Sequence, residues 1–102
     1  MLNGNIAGEH NLYNLRMDRN IVGPRVRLGR SLLSPPLTQN ELAVRLQLQG
    51  LGLAQPAISK VELGRRPVLD LEVVCLARTL GVSCAWLLGE TDSPGRSVGG
   101  KR

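Results

Sequence analysis

Prolines and glycines cut residues 21–90 into five short apolar runs, and that punctuation leaves little choice of fold. Ser34-Pro35-Pro36 ends the first run, because proline cannot continue a helix and drives the residue before it out of the αR region. Gly64, Gly81 and Gly89 close later runs, and Gly81 suits the left-handed backbone position that ends a helix. Between the stops, apolar residues recur at three- and four-residue intervals, with no alternation of period two. The pattern predicts an all-α chain of five helices without strands. Aromatic residues make up only 2% of the chain, Tyr13 and Trp86 with no Phe, which suits an aliphatic helical core better than a sheet.

The first helix is expected from about Val22 to Leu33, with Pro24 in its first turn and Val22, Val26, Gly29 and Leu33 on one face. LTQNELAVRLQ opens the second: Thr38 caps it, Glu41 completes a capping box, and Leu42, Ala43 and Leu46 face inward. The third is expected over about Gln55 to Leu63, burying Ile58 and Val61. Pro56 falls in its first turn, where a missing N–H costs little. Asp70 is expected to cap the fourth, whose Val73, Val74, Leu76, Ala77 and Leu80 supply core, and Ser83 to cap a short fifth, CAWLL. Outside this domain, residues 1–20 read as a flexible Asn- and Gly-containing arm, with Met17 the expected natural start. Residues 91–102, TDSPGRSVGGKR, read as a flexible basic tail.

Thirteen Lys and Arg against eight acids give a net charge of +5. The excess is not confined to the ends. Arg25, Arg27, Arg30, Arg45, Lys60, Arg65, Arg66 and Arg78 stand against Glu41, Glu62, Asp70 and Glu72. Such a balance points to an anionic partner, nucleic acid or acidic lipid. Catalysis has little to work with. His10 is the only histidine and lies in the arm; Cys75 and Cys84 match neither a zinc spacing nor a CxxC motif and read as buried free thiols. GLG at 50–52 lacks the third glycine and the preceding strand of a dinucleotide fingerprint, and GGK at 99–101 is too near the end to open a phosphate-binding helix. No enzyme activity, metal, cofactor or small-molecule substrate is expected. The chain has no apolar run of membrane-spanning length, and MLNGNIAGEH lacks the pattern of a signal peptide, so a soluble, cytoplasmic protein without a membrane partner is expected.

Two short helices joined by a turn, the second edged with polar and basic residues, suggest a helix-turn-helix. Three fragments carry a resemblance at this point: TQNELAVRL at 38–46, ISKVELGRRPV at 58–68 and DLEVVCLARTLGVSCAWLLG at 70–89. In this order they resemble the phage repressor and Cro-type helix-turn-helix domain, the XRE family, over residues 21–89. The resemblance implies five helices around an aliphatic core, a third helix that enters the major groove of double-stranded DNA, and a homodimer. On these positions it makes Gln55, Ala57, Ser59 and Lys60 the expected base contacts. Glutamine pairs with adenine, lysine with guanine, and alanine meets a thymine methyl. Thr38 and Gln39 match positions that hold the phosphate backbone, as do Arg65 and Arg66 in the loop that follows. It also implies a structural ion pair between Glu62 and Arg30 of the first helix.

The chain departs from that family in two places. QLQGLGLA, residues 47–54, is longer than the usual turn: either the second helix runs on to Gln49 and is capped by Gly50, or a loop bulges with Leu48 and Leu51 tucked under. Ala54 stands where a polar cap is usual. Trp86 and Leu87 fit either the core or a dimer seam. A two-fold dimer would hold the reading helices about 34 Å apart, one turn of duplex. The expected function is a transcriptional regulator, repressor or autoregulator, at the nucleoid. The alternative is an antitoxin-like module that binds a protein partner as well as its own operator.

Overall fold

The computed structural model describes residues 18–95, which form helices α1 (Gly23–Leu32), α2 (Gln39–Leu48), α3 (Gln55–Glu62), α4 (Asp70–Leu80) and α5 (Cys84–Leu87). Among the described residues there is no strand. The bulk of the arm, the expected start at Met17 and the last seven residues of the tail lie outside the described residues. No described helix is long and apolar enough to cross a membrane.

The helix ends follow the punctuation. Helices α2 to α5 all close with the same pair of backward hydrogen bonds around a glycine of positive φ. At α3 the Gly64 N–H donates to Val61 O and the Arg65 N–H to Lys60 O, with Gly64 at φ +74°. The long turn after α2 resolves the same way. The helix stops at Leu48, Gly50 takes φ +90°, and the Leu51 N–H returns to Leu46 O. Leu51 is thereby half-buried, but Leu48 stays out, 83% exposed; only one of the two leucines tucks under. At the other ends, Thr38 and Glu41 form the full capping box of α2, and Ser83 Oγ accepts from the Trp86 N–H to start α5. Ala54 leaves α3 without a side-chain cap.

Asp70 does not cap α4. It is the first helical residue, its Oδ1 accepting from the Leu71 N–H, and Leu69 holds the cap position. The carboxylate of Glu72 reaches back instead to the Leu69 N–H at 2.9 Å.

A single aliphatic core binds the helices, made of Val22, Val26, Leu42, Leu46, Ile58, Val61, Leu76, Ala77, Leu80 and Leu87 with Trp86. Leu37, Leu53 and Val82, all from connections, complete it. Leu33, Ala43 and Val73 pack at its margin, half-buried, whereas Val74 is exposed and is not core: one residue on from Val73, it turns away on the helix. Cys75 and Cys84 are free but half-buried rather than buried.

Trp86 and Leu87 belong to this core, 3% and 0% exposed, so an exposed dimer seam does not run through them. Arg25 covers Trp86 from outside. Its guanidinium lies 4.6 Å from the ring centroid and donates to Trp86 O, Thr91 O and Asp92 Oδ1. Together with the Ser83 N–H to Pro94 O bond, this fixes residues 91–95 on the domain, and they are not free tail. At the other end, residues 18–20 are likewise bound rather than part of a free arm: the Arg19 N–H donates to Gly64 O.

Helix α1 meets α3 through Gly23, where a Cβ would lie 2.3 Å from Val61 O and 2.8 Å from Glu62 O. Both obstacles are backbone, so neither can swing aside. Gly23→Ala is therefore expected to destabilise the fold by about 1–3 kcal/mol, the usual range for overpacking, seen as a lower urea midpoint. An unchanged midpoint would show that the two helices part without cost.

Candidate nucleic-acid interface

Helix α3 packs principally on α1 and α2. Ile58 and Val61 turn one side into the core and Ala57 packs at the core's edge. The opposite side carries Pro56, Lys60 and Leu63, all exposed, with half-buried Ser59 beside them. A 3.6-residue period places these four on one outward stripe, with Gln55 and Glu62 along the flank nearer α2.

That flank is tied by a chain of polar contacts. Arg30 grips Glu62 with both ends of its fork, Nε to Oε2 at 2.6 Å and Nη2 to Oε1 at 2.8 Å. The side chains are 16% and 5% exposed, so the pair is largely internal, as the resemblance implied. Its third nitrogen, Nη1, donates to Leu37 O at 2.8 Å, which brings the α1–α2 connection to the same point. The hydrogen bond to Glu62 holds the Arg30 pKa above the ordinary guanidinium value, against the opposing effect of burial. Gln39 Nε2 donates to Glu62 Oε1 at 3.0 Å, and Gln55 Nε2 donates to Gln39 Oε1 at 2.7 Å. Gln39 thus lies along α3 and links its first residue to its last.

The expected contact residues fall into three groups. Lys60, Arg65 and Thr38 are exposed, and Lys60 and Arg65 make no ion pair with other described residues. Gln39 and Gln55 are half-buried and bonded to each other, so an outside group meets a joined pair rather than two free amides. Ser59 is half-buried on the outward stripe; Ala57 lies at its far edge against the core.

Arg66 sits differently from Arg65. Its guanidinium turns inward, Nη1 lying 3.5 Å from Glu72 Oε1, with side chains 31% and 7% exposed. A carboxylate as buried as that of Glu72 needs a counter-charge, and Arg66 supplies it. The arginine pair therefore divides: Arg65 faces solvent, and Arg66 is half-buried beside Glu72. The Arg66 Nη1 is buried without a hydrogen bond, so the contact is one of charge.

Sequence reasoning missed Asn20. It stands before α1, accepts from the Gly23 N–H at 2.8 Å, and donates to Val61 O at 3.1 Å and Arg66 O at 2.8 Å. An Asn followed three residues later by a helix start was the available signal, since asparagine is a favoured cap. Arg25 was missed as well; nothing in its local sequence points to Trp86.

Two predictions follow from charge. Removing the Glu62 carboxylate leaves Arg30 internal and uncompensated, so Glu62→Gln is expected to lose about 3 kcal/mol of stability in urea denaturation at neutral pH. An unaltered midpoint would make the pair dispensable. At Glu41, the hydrogen bond from the Thr38 N–H, then that with the Thr38 hydroxyl, hold the carboxyl below its ordinary range. A lowered folded-state pKa stabilises fully above the ordinary glutamate range and ceases to do so as pH falls through the lowered value. The stability gap between the parent and Glu41→Gln should therefore narrow on acidification; a gap independent of pH would exclude a role for the charge. Comparison with family models, with curated proteins and with solved structures found no match for the chain.

Proposed function

We propose that the chain is a sequence-specific regulator of the phage repressor and Cro type that binds double-stranded DNA, with α2 and α3 as its helix-turn-helix. One observation carries the reading: α3 rests on α1 and α2 alone among its principal neighbours and leaves a stripe of Pro56, Ser59, Lys60 and Leu63 outward, with Arg65 beyond its end. A helix about 10–12 Å across, open along one side, fits the major groove of about 12 Å. Lys60 is the leading base reader. Ser59 and the joined Gln39–Gln55 pair lie beside it, and Gln55 would present its amide to a base already oriented by Gln39. Preorganisation of this kind lowers the ordering cost of a contact.

Thr38 and Arg65 are the backbone contacts in this reading. Arg66, half-buried beside Glu72, is the weaker of the two loop arginines for such a contact. Affinity then arises largely from phosphate neutralisation and falls steeply with salt, while sequence preference lies with α3. Two copies on each site are part of the proposal, with a seam on surface other than the buried Trp86 and Leu87.

The test is a selection from random duplexes at moderate salt. The expected product is a pseudo-palindrome with half-sites about one helical turn apart. Lys60→Ala should relax preference at one base position. Arg65→Ala should weaken all duplexes alike and reduce the slope of log K against log salt by about 1. Absence of salt-sensitive binding to any duplex would refute the reading.

A further inference from the structure

Asn20 joins three parts of the molecule that the sequence keeps apart. Its Oδ1 accepts the Gly23 N–H at the opening of α1. Its Nδ2 donates to Val61 O in the last turn of α3 and to Arg66 O in the loop beyond. The next residue back repeats the tie through the main chain, the Arg19 N–H donating to Gly64 O at 2.8 Å. One side chain thus caps the start of one helix and the end of another.

Only a primary amide of this length does both. Aspartate matches the acceptor but has no donor, and a serine hydroxyl has a single proton for two carbonyls. The acceptor side is replaceable, since aspartate caps a helix as well as asparagine does. The donor side is not, and it acts on α3 and its loop.

We propose that Asn20 is a positioning residue for the DNA-reading helix; the proposal rests on the function given above. Helix α1 holds the end of α3 at two points. One is Asn20 with the close approach at Gly23, and the other is the Arg30–Glu62 fork. The first lies at the start of α1 and the second in its last turn, so the last turn of α3 is held at two places rather than hinged on one. The outward stripe keeps its angle to α1, and Arg65 sits in a loop pinned at Gly64 O and Arg66 O on either side. Sequence-specific contacts depend on sub-ångström placement, whereas phosphate attraction tolerates a tilt. Loss of the donors should therefore damage discrimination and spare general affinity.

The experiment compares the parent, Asn20→Asp and Asn20→Ala on a selected duplex and on a scrambled duplex of the same length, well below each melting temperature. Concentrations are set by active folded protein. Asn20→Asp keeps the α1 cap and removes the α3 clamp. Both variants are expected to lose about tenfold on the selected duplex, the cost of one poorly made base contact, and less than about twofold on the scrambled one. The salt slope should not move. A merely structural role would lower the active fraction on both duplexes together and leave their ratio intact. An unchanged ratio in both variants overturns the proposal while the parent's own discrimination upholds the DNA reading. A parent that binds no duplex overturns both. If Asn20→Asp fails to fold, Asn20→Ala, which has neither donor nor acceptor, is read alone, and an intact ratio there overturns the proposal.

Discussion

The Glu62 carboxylate is where the parts of this molecule meet. One carboxylate accepts two bonds from Arg30 of α1 and one from Gln39 of α2, and it stands on the last residue of α3. Aliphatic packing alone would hold the helices together, because Ile58 and Val61 bury well against their neighbours. Packing of that kind has little direction, since leucine and valine surfaces slide over one another at small cost. A bidentate fork has fixed length and plane. Once Arg30 and Glu62 are engaged, the rotation of α3 about its axis is set, and with it the stripe that faces outward. The Arg30 Nη1 bond to Leu37 O extends the same constraint to the connection that follows the proline pair.

Local chemistry was legible in the sequence and distant chemistry was not. Helix starts and stops are decided within a few residues, by Thr38 with Glu41, by Ser83, by Pro56 and by the glycines after α3, α4 and α5. The inward faces of α2 and α3 followed from their period. Asp70 misled because the helix starts one residue earlier than a capping Asp70 requires: Leu69 holds the cap position, and Glu72, the third helical residue, binds back to the Leu69 N–H. The difference between Arg65 and Arg66 was not legible: adjacent arginines look alike in a sequence, and only the fold puts Glu72 within reach of one of them. Asn20 and Arg25 act across more than forty and sixty residues respectively, where neither period nor spacing carries a signal. The Arg30–Glu62 pair spans a similar gap, yet it was anticipated, because the family resemblance supplied what local rules lack.

Net charge also changes meaning once the acids are placed. Residues 21–89 hold four, and each is committed to a partner within the fold. Glu62 lies with Arg30, Glu72 with Arg66 and the Leu69 N–H, Glu41 with the Thr38 N–H, and Asp70 with the Leu71 N–H. The two buried acids cancel two arginines internally, and the two exposed ones sit at helix N-termini, where the dipole offsets part of their charge. Arg27, Arg45, Lys60, Arg65 and Arg78 remain exposed. Within residues 21–89 the exposed charge is thus more positive than a count along the chain suggests. Within α3 the one acid, Glu62, is turned to the flank, so Lys60 has no neighbouring carboxylate on the outward stripe of the helix. The contact that orients α3 therefore also takes the helix's one negative charge off its outward stripe.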